Sequence, residues 1–155
     1  MDVLKLIALD GEDIQVVSAH LQDAVVMTSE IHWRPSEKRL VVGLSRFDWE
    51  SANGEGPEFR RCRSALRFER VLSCKCRHVN HAADKSEALN LLAVEFAEND
   101  PPAGVVTLTF SGGAALRLEV ECLEVELADL GPAWGTEVCP AHPLDAKIAD
   151  AAQQG

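Results

Sequence analysis

The sequence predicts an α+β fold weighted to β: one N-terminal amphipathic helix and about seven mostly antiparallel strands in a sheet or barrel-like roll. Three observations lead to this prediction. The 155 residues fit one ordinary domain. Apolar residues recur at helical spacing near the N-terminus. Almost all of the chain that follows alternates between apolar and polar side chains, as strands do.

The first two predicted elements are a short strand, Val3–Ala8, and the helix. Asp10 is a natural N-cap, and Asp13 places negative charge in the first helical turn. The helix is predicted over about residues 11–23. Its one-sided apolar stripe consists of Ile14, Val17, Leu21 and Ala24.

Three longer strands are predicted in the middle of the chain. Val25–Trp33 ends at a turn, and Arg39–Trp49 is followed by a loop of flexible composition. Cys62–Cys76 is one long strand or two strands joined by a bend. Its even positions are largely apolar and its odd positions largely basic, so it has an apolar face and a basic face.

Three further strands complete the predicted sheet. Leu91–Phe96 is followed by Val105–Phe110 and Ala115–Leu127, which form a hairpin around a glycine turn. The apolar positions of the last strand change parity between Cys122 and Leu123, as a β-bulge or a bend would produce. Residues 1–143 are predicted as one domain and residues 144–155 as a flexible or frayed-helical tail.

The charge pattern limits the partners. The net charge is −10, yet residues 59–81 carry a net +6 between acidic flanks. A chain this acidic repels nucleic acid and anionic membranes unless a basic patch overrides the mean charge, so we expect neither as a partner. The N-terminus lacks the features of a secretory signal, and the five cysteines form no compact disulfide pattern. We therefore expect a cytoplasmic location.

Four segments carry a resemblance to a known family: the N-terminal L-K-L-I-A-L-D-G-E-D, R-F-D-W at Arg46–Trp49, L-R-F-E-R-V at Leu66–Val71, and L-R-L-E-V-E-C-L-E…L-A-D-L-G-P-A-W within Leu116–Trp134. The chain resembles, to about Pro143, a family of small alphaproteobacterial proteins catalogued only as a domain of unknown function. The resemblance implies a bacterial, cytosolic, single-domain protein. It implies no activity, cofactor or catalytic residue.

The sequence C-K-C-R-H-V-N-H brings together four side chains that zinc accepts as ligands: Cys74, Cys76, His78 and His81. The C-x-C spacing argues against a metal site, because in a strand it puts both thiols on one face, about 6–7 Å apart. That face also carries the apolar residues of the strand. We therefore predict that Cys74 and Cys76 are buried, reduced and metal-free, and we expect no cofactor.

The segment around Arg46 allows two interpretations. On a strand Phe47 and Trp49 share one face, while Arg46 and Asp48 share the other. The favoured interpretation is an aromatic pair in the core and an ion pair outside. The alternative is a partner-binding surface formed by Arg46 and Trp49, to which Trp134 in a Pro/Gly loop could also belong.

The basic face of the long strand also allows two interpretations. Its members are Arg61, Arg63, Arg67, Lys75 and Arg77. We favour pairing within the molecule with the glutamates of residues 119–126. The alternative is a partner surface that includes Arg61, Arg63 and Arg67. Aromatic residues are not interleaved with these cations as they are in proteins that bind single-stranded nucleic acid.

The sequence contains no nucleophile-elbow, Walker, dinucleotide-binding or zinc-protease motif. The favoured hypothesis is accordingly a non-enzymatic protein-interaction or self-associating module, with a protein partner or a homodimer. The alternative is a small-molecule-binding protein or an enzyme whose site is assembled from residues distant in sequence.

Overall fold

The computed structural model describes residues 4–47, 60–79 and 86–131, and the backbone of residues 134–135. These parts of the chain form one α-helix and eleven strands. In chain order the elements are β1 (Lys5–Ala8), α1 (Gly11–His20), β2 (Ala24–Met27), β3 (Ile31–Arg34), β4 (Arg39–Phe47), β5 (Arg60–Phe68), β6 (Val71–Arg77), β7 (Ala88–Asp100), β8 (Ala103–Phe110), β9 (Ala115–Val120), β10 (Val125–Asp129) and β11 (Trp134–Gly135). The predicted class, α+β weighted to β, is confirmed.

Helix α1 forms where the apolar stripe predicts it. The Asp10 carboxylate accepts a hydrogen bond from the Asp13 backbone N–H at 2.8 Å, which satisfies one of the free donors of the first turn. The helix ends at His20, and Asp23 adopts a left-handed backbone (φ 62°) as the chain turns into β2. The four stripe residues Ile14, Val17, Leu21 and Ala24 are all buried.

The prediction of seven strands is too low because three predicted strands are each divided in two and the short β11 was not predicted. Val25–Trp33 is interrupted by a 3₁₀ turn at Thr28–Glu30. Cys62–Cys76 breaks at Arg70, whose φ of 62° cannot continue a strand. The last strand breaks at residues 121–124, where the change of parity predicted a bend. Periodicity does not show the first break, because the segment keeps its alternation, while the second is the predicted alternative of two strands joined by a bend.

The strands form one antiparallel sheet in the order β1-β10-β5-β4-β2-β7-β8-β9-β6, with β3 also on β4 and β11 also on β5. The predicted hairpin is β8–β9. Its turn contains Gly112 (φ 74°) and Gly113 (φ 81°), a conformation that favours glycine. The path ends at β1 and β6, so the sheet is not a closed barrel.

Two bent strand pairs carry the chain between the two halves of the sheet. β5 continues into β6, and β9 continues into β10. At the bends the Glu69 N–H donates to the Glu124 carbonyl, and the Glu121 N–H donates to the Arg70 carbonyl, each at 2.9 Å. The long antiparallel ribbon therefore holds together where its register is interrupted.

The core is one cluster of apolar side chains on the inner face of the sheet. Its largest fully buried members include Phe68, Phe110, Leu66 and Leu108. Helix α1 packs against β7 and β1. None of the described helices has the length and apolar character that a bilayer crossing requires. The position of α1 beside β7 leaves a groove between the two elements.

Candidate functional site

Arg46 belongs to a buried polar cluster. Its Nε and Nη2 donate to the two carboxylate oxygens of Asp129, both at 2.9 Å. The same carboxylate accepts bonds from the Ser64 hydroxyl at 2.6 Å and the Leu4 N–H at 2.9 Å. Burial acts to raise the pKa of Asp129, but the bonds from Arg46, Ser64 and Leu4 outweigh it, so the pKa is lowered. The cluster ties β4, β5, β10 and the N-terminal segment together.

The favoured prediction for the segment around Arg46 is therefore corrected. Arg46 shares the inner face of β4 with Leu44 and is only 1% exposed, so it is neither on the outside nor accessible to a partner. Phe47 points to the outer face, where the Arg61 guanidinium lies 4.6 Å from its ring centroid. The bidentate bond to Asp129 makes the buried arginine possible, and alternation alone could not reveal it. Trp49 lies outside the described residues.

Two arginines of β5, Arg61 and Arg67, have partners on the outer face. Arg61 donates to the Ser45 carbonyl at 3.1 Å, and burial lowers its pKa. Arg67 pairs with Glu126 at 3.3 Å and with Glu69 at 3.0 Å. The predicted pairing of the basic face with the glutamates of residues 119–126 is thus present at Arg67. β11 pairs with β5, with Trp134 opposite Arg61 in register, and its side chain lies outside the description.

Arg63 is buried and not part of an open surface. Its side chain is 10% exposed, and its Nη2 lies 3.5 Å from Glu30 Oε1. Glu30 Oε2 lies 4.0 Å from His32 Nε2. Glu30 rests on Gly43, where an added Cβ would come within 2.8 Å of Oε2. Glu30 Oε2, His32 Nε2 and Arg63 Nη2 are enclosed by protein and have no hydrogen-bond partner among the described residues, so the contacts within this cluster are at ion-pair distance only.

The cysteines only partly follow their prediction. Cys74 is half-buried, and burial raises the pKa of its thiol to about 11. Cys76 is exposed near the end of the edge strand β6, so its predicted burial is wrong. β6 extends beyond the core before it reaches Cys76, so the Cys76 side chain is exposed although it shares a strand face with Cys74. His78 is exposed, and His81 lies outside the described residues. No group of three or more metal-ligating side chains occurs within the described residues.

A groove of about 830 Å³ lies between α1 and β7, and we call it the helix groove. From α1 it is lined by Glu12, Gln15 and Ser18, and from β7 by Leu92 and Phe96 among others. Leu92 is 48% exposed, so it offers the groove an apolar side chain that the core does not cover. The groove therefore combines apolar contact surface with a polar and acidic helix wall.

The floor of the helix groove contains an open sheet edge. β2 pairs with β7 only from Ala88 to Leu91. Beyond that point the described residues of β7 pair with β8 alone. The Val94 N–H faces away from β8 and donates a hydrogen bond to the Ser18 hydroxyl oxygen at 2.9 Å. Since main-chain direction alternates along a strand, the N–H and C=O of Phe96 face the same edge.

A second groove, of about 820 Å³, lies on the outer face of β6, β9, β8 and β7, and we call it the sheet groove. Lys75, Arg77 and Arg117 line one side, and Glu95 and Glu98 line the other. All five side chains are exposed. The groove thus has one cationic wall and one acidic wall.

The groups with a shifted pKa lie away from both grooves. Among the described residues these groups are Arg39, Arg61, Cys74 and Asp129, and none of them lines either groove. Each shift is explained by burial or by an ion pair with a packing role.

Sequence reasoning did not single out α1 and β7 as the walls of a site. One usable signal was the adjacent pair Leu91 and Leu92, since alternation allows only one of two neighbours to face the core. The other was the acidic first turn of the helix. The groove itself depends on where α1 docks, which local pattern does not specify.

The comparison with protein families gives one match. The model of a family described as "Protein of unknown function (DUF2948)" matches residues 4–142. No curated protein and no solved structure matches the chain.

Proposed function

The chain belongs to the DUF2948 family, which is described as one of unknown function, and we propose that it is a non-enzymatic protein-interaction module. Its binding site is the helix groove. Its ligand is an extended segment of a partner protein, which adds a strand to the open edge of β7.

The open edge of β7 is the observation that carries this proposal. An unpaired strand edge offers main-chain donors and acceptors to another chain, and proteins usually block or cover such an edge. Here the Ser18 hydroxyl accepts the hydrogen bond of the Val94 N–H. The next residue that faces this edge, Phe96, lies beside the open groove and pairs with no described strand on that side. Strand addition would satisfy these groups and bury Leu92 and Phe96.

The charge of the groove selects the side chains of the ligand. Asp10, Glu12 and Glu95 line it, and no described lysine or arginine does. A basic segment would meet these carboxylates, whereas an acidic one would be repelled. From Val94 to Glu98 the edge spans about 14 Å at the rise of a strand, which is room for about five ligand residues.

The test uses a fluorescein-labelled, amidated heptapeptide of alternating lysine and valine, with fluorescence anisotropy as the readout. We expect saturable binding, and we expect the double variant Glu12→Lys/Gln15→Lys to weaken it at least about tenfold through charge repulsion. Glu87→Lys, an exposed reversal outside the groove, is the matched control and should bind as the unchanged protein does.

Two further measurements examine strand addition itself. N-methylation of the peptide at alternate residues should abolish binding, because it removes the main-chain donors that face β7. Hydrogen exchange at the Phe96 amide should slow when the peptide is bound. Equal affinity for an alternating glutamate–valine peptide, or no effect of N-methylation, would overturn the proposal.

We also propose a bacterial cytoplasmic location. The four described cysteines, Cys62, Cys74, Cys76 and Cys122, are free thiols, which fits a reducing compartment. Fractionation of cells that express a tagged full-length chain tests this. Recovery in the periplasm or the membrane fraction would contradict it.

A further inference from the structure

The sheet groove is organised around one straight row of side chains. Glu95 is the register partner of Thr107, Thr107 of Arg117, and Arg117 of Lys75. Register partners on neighbouring strands point to the same face. The row therefore crosses β7, β8, β9 and β6 on the outer face, with an acid at one end and two cations at the other.

The cationic end of this row lacks a counter-charge. Lys75 and Arg117 stand directly opposite each other, and like charges in that position destabilise a sheet. In the described part of the chain, neither has a carboxylate within 4.0 Å, and the same is true of Arg77. Most other described cations have one, as Lys38 does with Glu121 at 3.2 Å.

The acidic end is equally unpaired. Glu95 and Glu98 form no ion pair with any described residue, although both are exposed beside the groove. Neighbouring strands are about 4.8 Å apart, which places the backbones of Glu95 and Lys75 about 14 Å from each other. The two walls therefore do not neutralise each other within one molecule.

We propose that this face binds a second copy of the chain and forms a two-fold dimer. The two-fold axis lies in the interface between the two sheets, parallel to the strands and midway between β8 and β9. It reverses the order of the row in the second protomer. It sets Glu95 of each protomer against Lys75 of the other, and Thr107 against Arg117. The surface is thus self-complementary, as an isologous interface must be.

The mixed charge of the groove favours a second copy over an acidic partner. An acidic segment laid across the groove would neutralise Lys75 and Arg117 but would also meet Glu95 and Glu98. Two copies related by the axis place Glu95 of each protomer against Lys75 of the other, so both ends of the row gain a counter-charge. The face is only four strands wide, so the dimer is expected to be weak and reversible.

The test is a charge exchange followed by sedimentation equilibrium at about 10 µM to 1 mM protein, the range that suits a small interface. Lys75→Glu/Arg117→Glu gives an acidic face, and Glu95→Lys/Glu98→Lys gives a basic face. We expect the unchanged protein to dimerise, each variant alone to dimerise at least about tenfold more weakly, and their equimolar mixture to recover or exceed the original affinity.

The controls separate this interface from net charge and from the helix groove. Glu87→Lys should dimerise normally, and circular dichroism should show both double variants folded. Net charge alone predicts that the basic variant associates more strongly, so its loss of dimer is diagnostic. Three results would overturn the proposal: the unchanged protein is monomeric, the mixture stays monomeric, or a monomer instead captures an alternating glutamate–valine peptide at the sheet groove. Glu95 lines both grooves, so the two proposals are separated by Lys75→Glu/Arg117→Glu, which changes the sheet groove alone, and by Glu12→Lys/Gln15→Lys, which changes the helix groove alone.

Discussion

The Arg46–Asp129 pair shows how one buried charge depends on its partner. Removing one member of a buried pair costs far more than the pair itself contributes, because the remaining charge stays desolvated. Asp129→Asn should therefore lower the free energy of unfolding by about 3–5 kcal/mol. Denaturant unfolding measures this, and Glu121→Gln at the exposed Lys38 pair should cost no more than about 1 kcal/mol. Equal losses would contradict the structure.

The same pair predicts a dependence of stability on pH. The pKa of Asp129 is lower in the folded protein than in the unfolded chain, where it is about 3.9. Its contribution to stability is therefore present above that value and is lost as the pH falls through the folded pKa. Asp129→Asn lacks this contribution, so its free energy of unfolding should fall less steeply below about pH 5 than that of the unchanged protein.

The two neighbouring cysteines of β6 should differ in reactivity. The pKa of Cys74 is raised to about 11 by burial first and by the charge of Cys76 second, so few of its thiols ionise at pH 8. Cys76 is exposed on the same strand. Iodoacetamide at pH 8 should therefore alkylate Cys76 well before Cys74, as peptide mass spectrometry would show. Faster labelling of Cys74 would contradict the assigned burial.

At the scale of elements, β7 and β8 approach each other closely at Gly104. A Cβ at Gly104 would come within 2.5 Å of the Ala97 carbonyl oxygen and 2.6 Å of the Phe96 ring. Gly104→Ala must move backbone, so it should destabilise the protein by about 1–3 kcal/mol, measured by thermal unfolding. Gly11→Ala, at the start of α1 with nothing within 4 Å, should be neutral or slightly stabilising.

Local pattern predicted the elements whose cause is local. The helix stripe, the Asp10 cap, the β8–β9 hairpin and the bend at residues 121–124 all follow from side-chain spacing or turn chemistry. The breaks at Thr28–Glu30 and Arg70 leave the alternation of apolar and polar residues almost unchanged, so periodicity missed the first and left the second open as a bend within Cys62–Cys76. A strand can change its neighbours at such a break, as the chain does where β5 gives way to β6.

At the scale of the whole molecule, the candidate surfaces depend on contacts between distant segments. Lys75 was visible as a basic residue of a predicted strand, but Arg117 opposite it lies 42 positions later, and only the register shows that the two meet. The helix groove likewise forms only because α1 lies beside the part of β7 that does not pair with β2. The basic face was predicted as one surface, yet β5 and β6 carry its members to separate regions of the sheet.

At Glu126, the effect of one ion pair on stability can be separated from the effect of net charge. Glu126 stands opposite Arg67, with 3.3 Å between their charged groups, and lies 4.0 Å from Lys5. Glu126→Lys removes these attractions and adds repulsion, so it should cost about 1 kcal/mol and lower the Tm by about 2–4 °C. Glu87→Lys makes the same change to a net charge of −10 without an ion pair in the described structure, so its Tm should hold or rise. Added salt should shrink the difference between the two variants, because screening weakens pairs at this exposure. Equal Tm values at low salt would show that net charge alone governs stability and that the pairing of Arg67 contributes nothing.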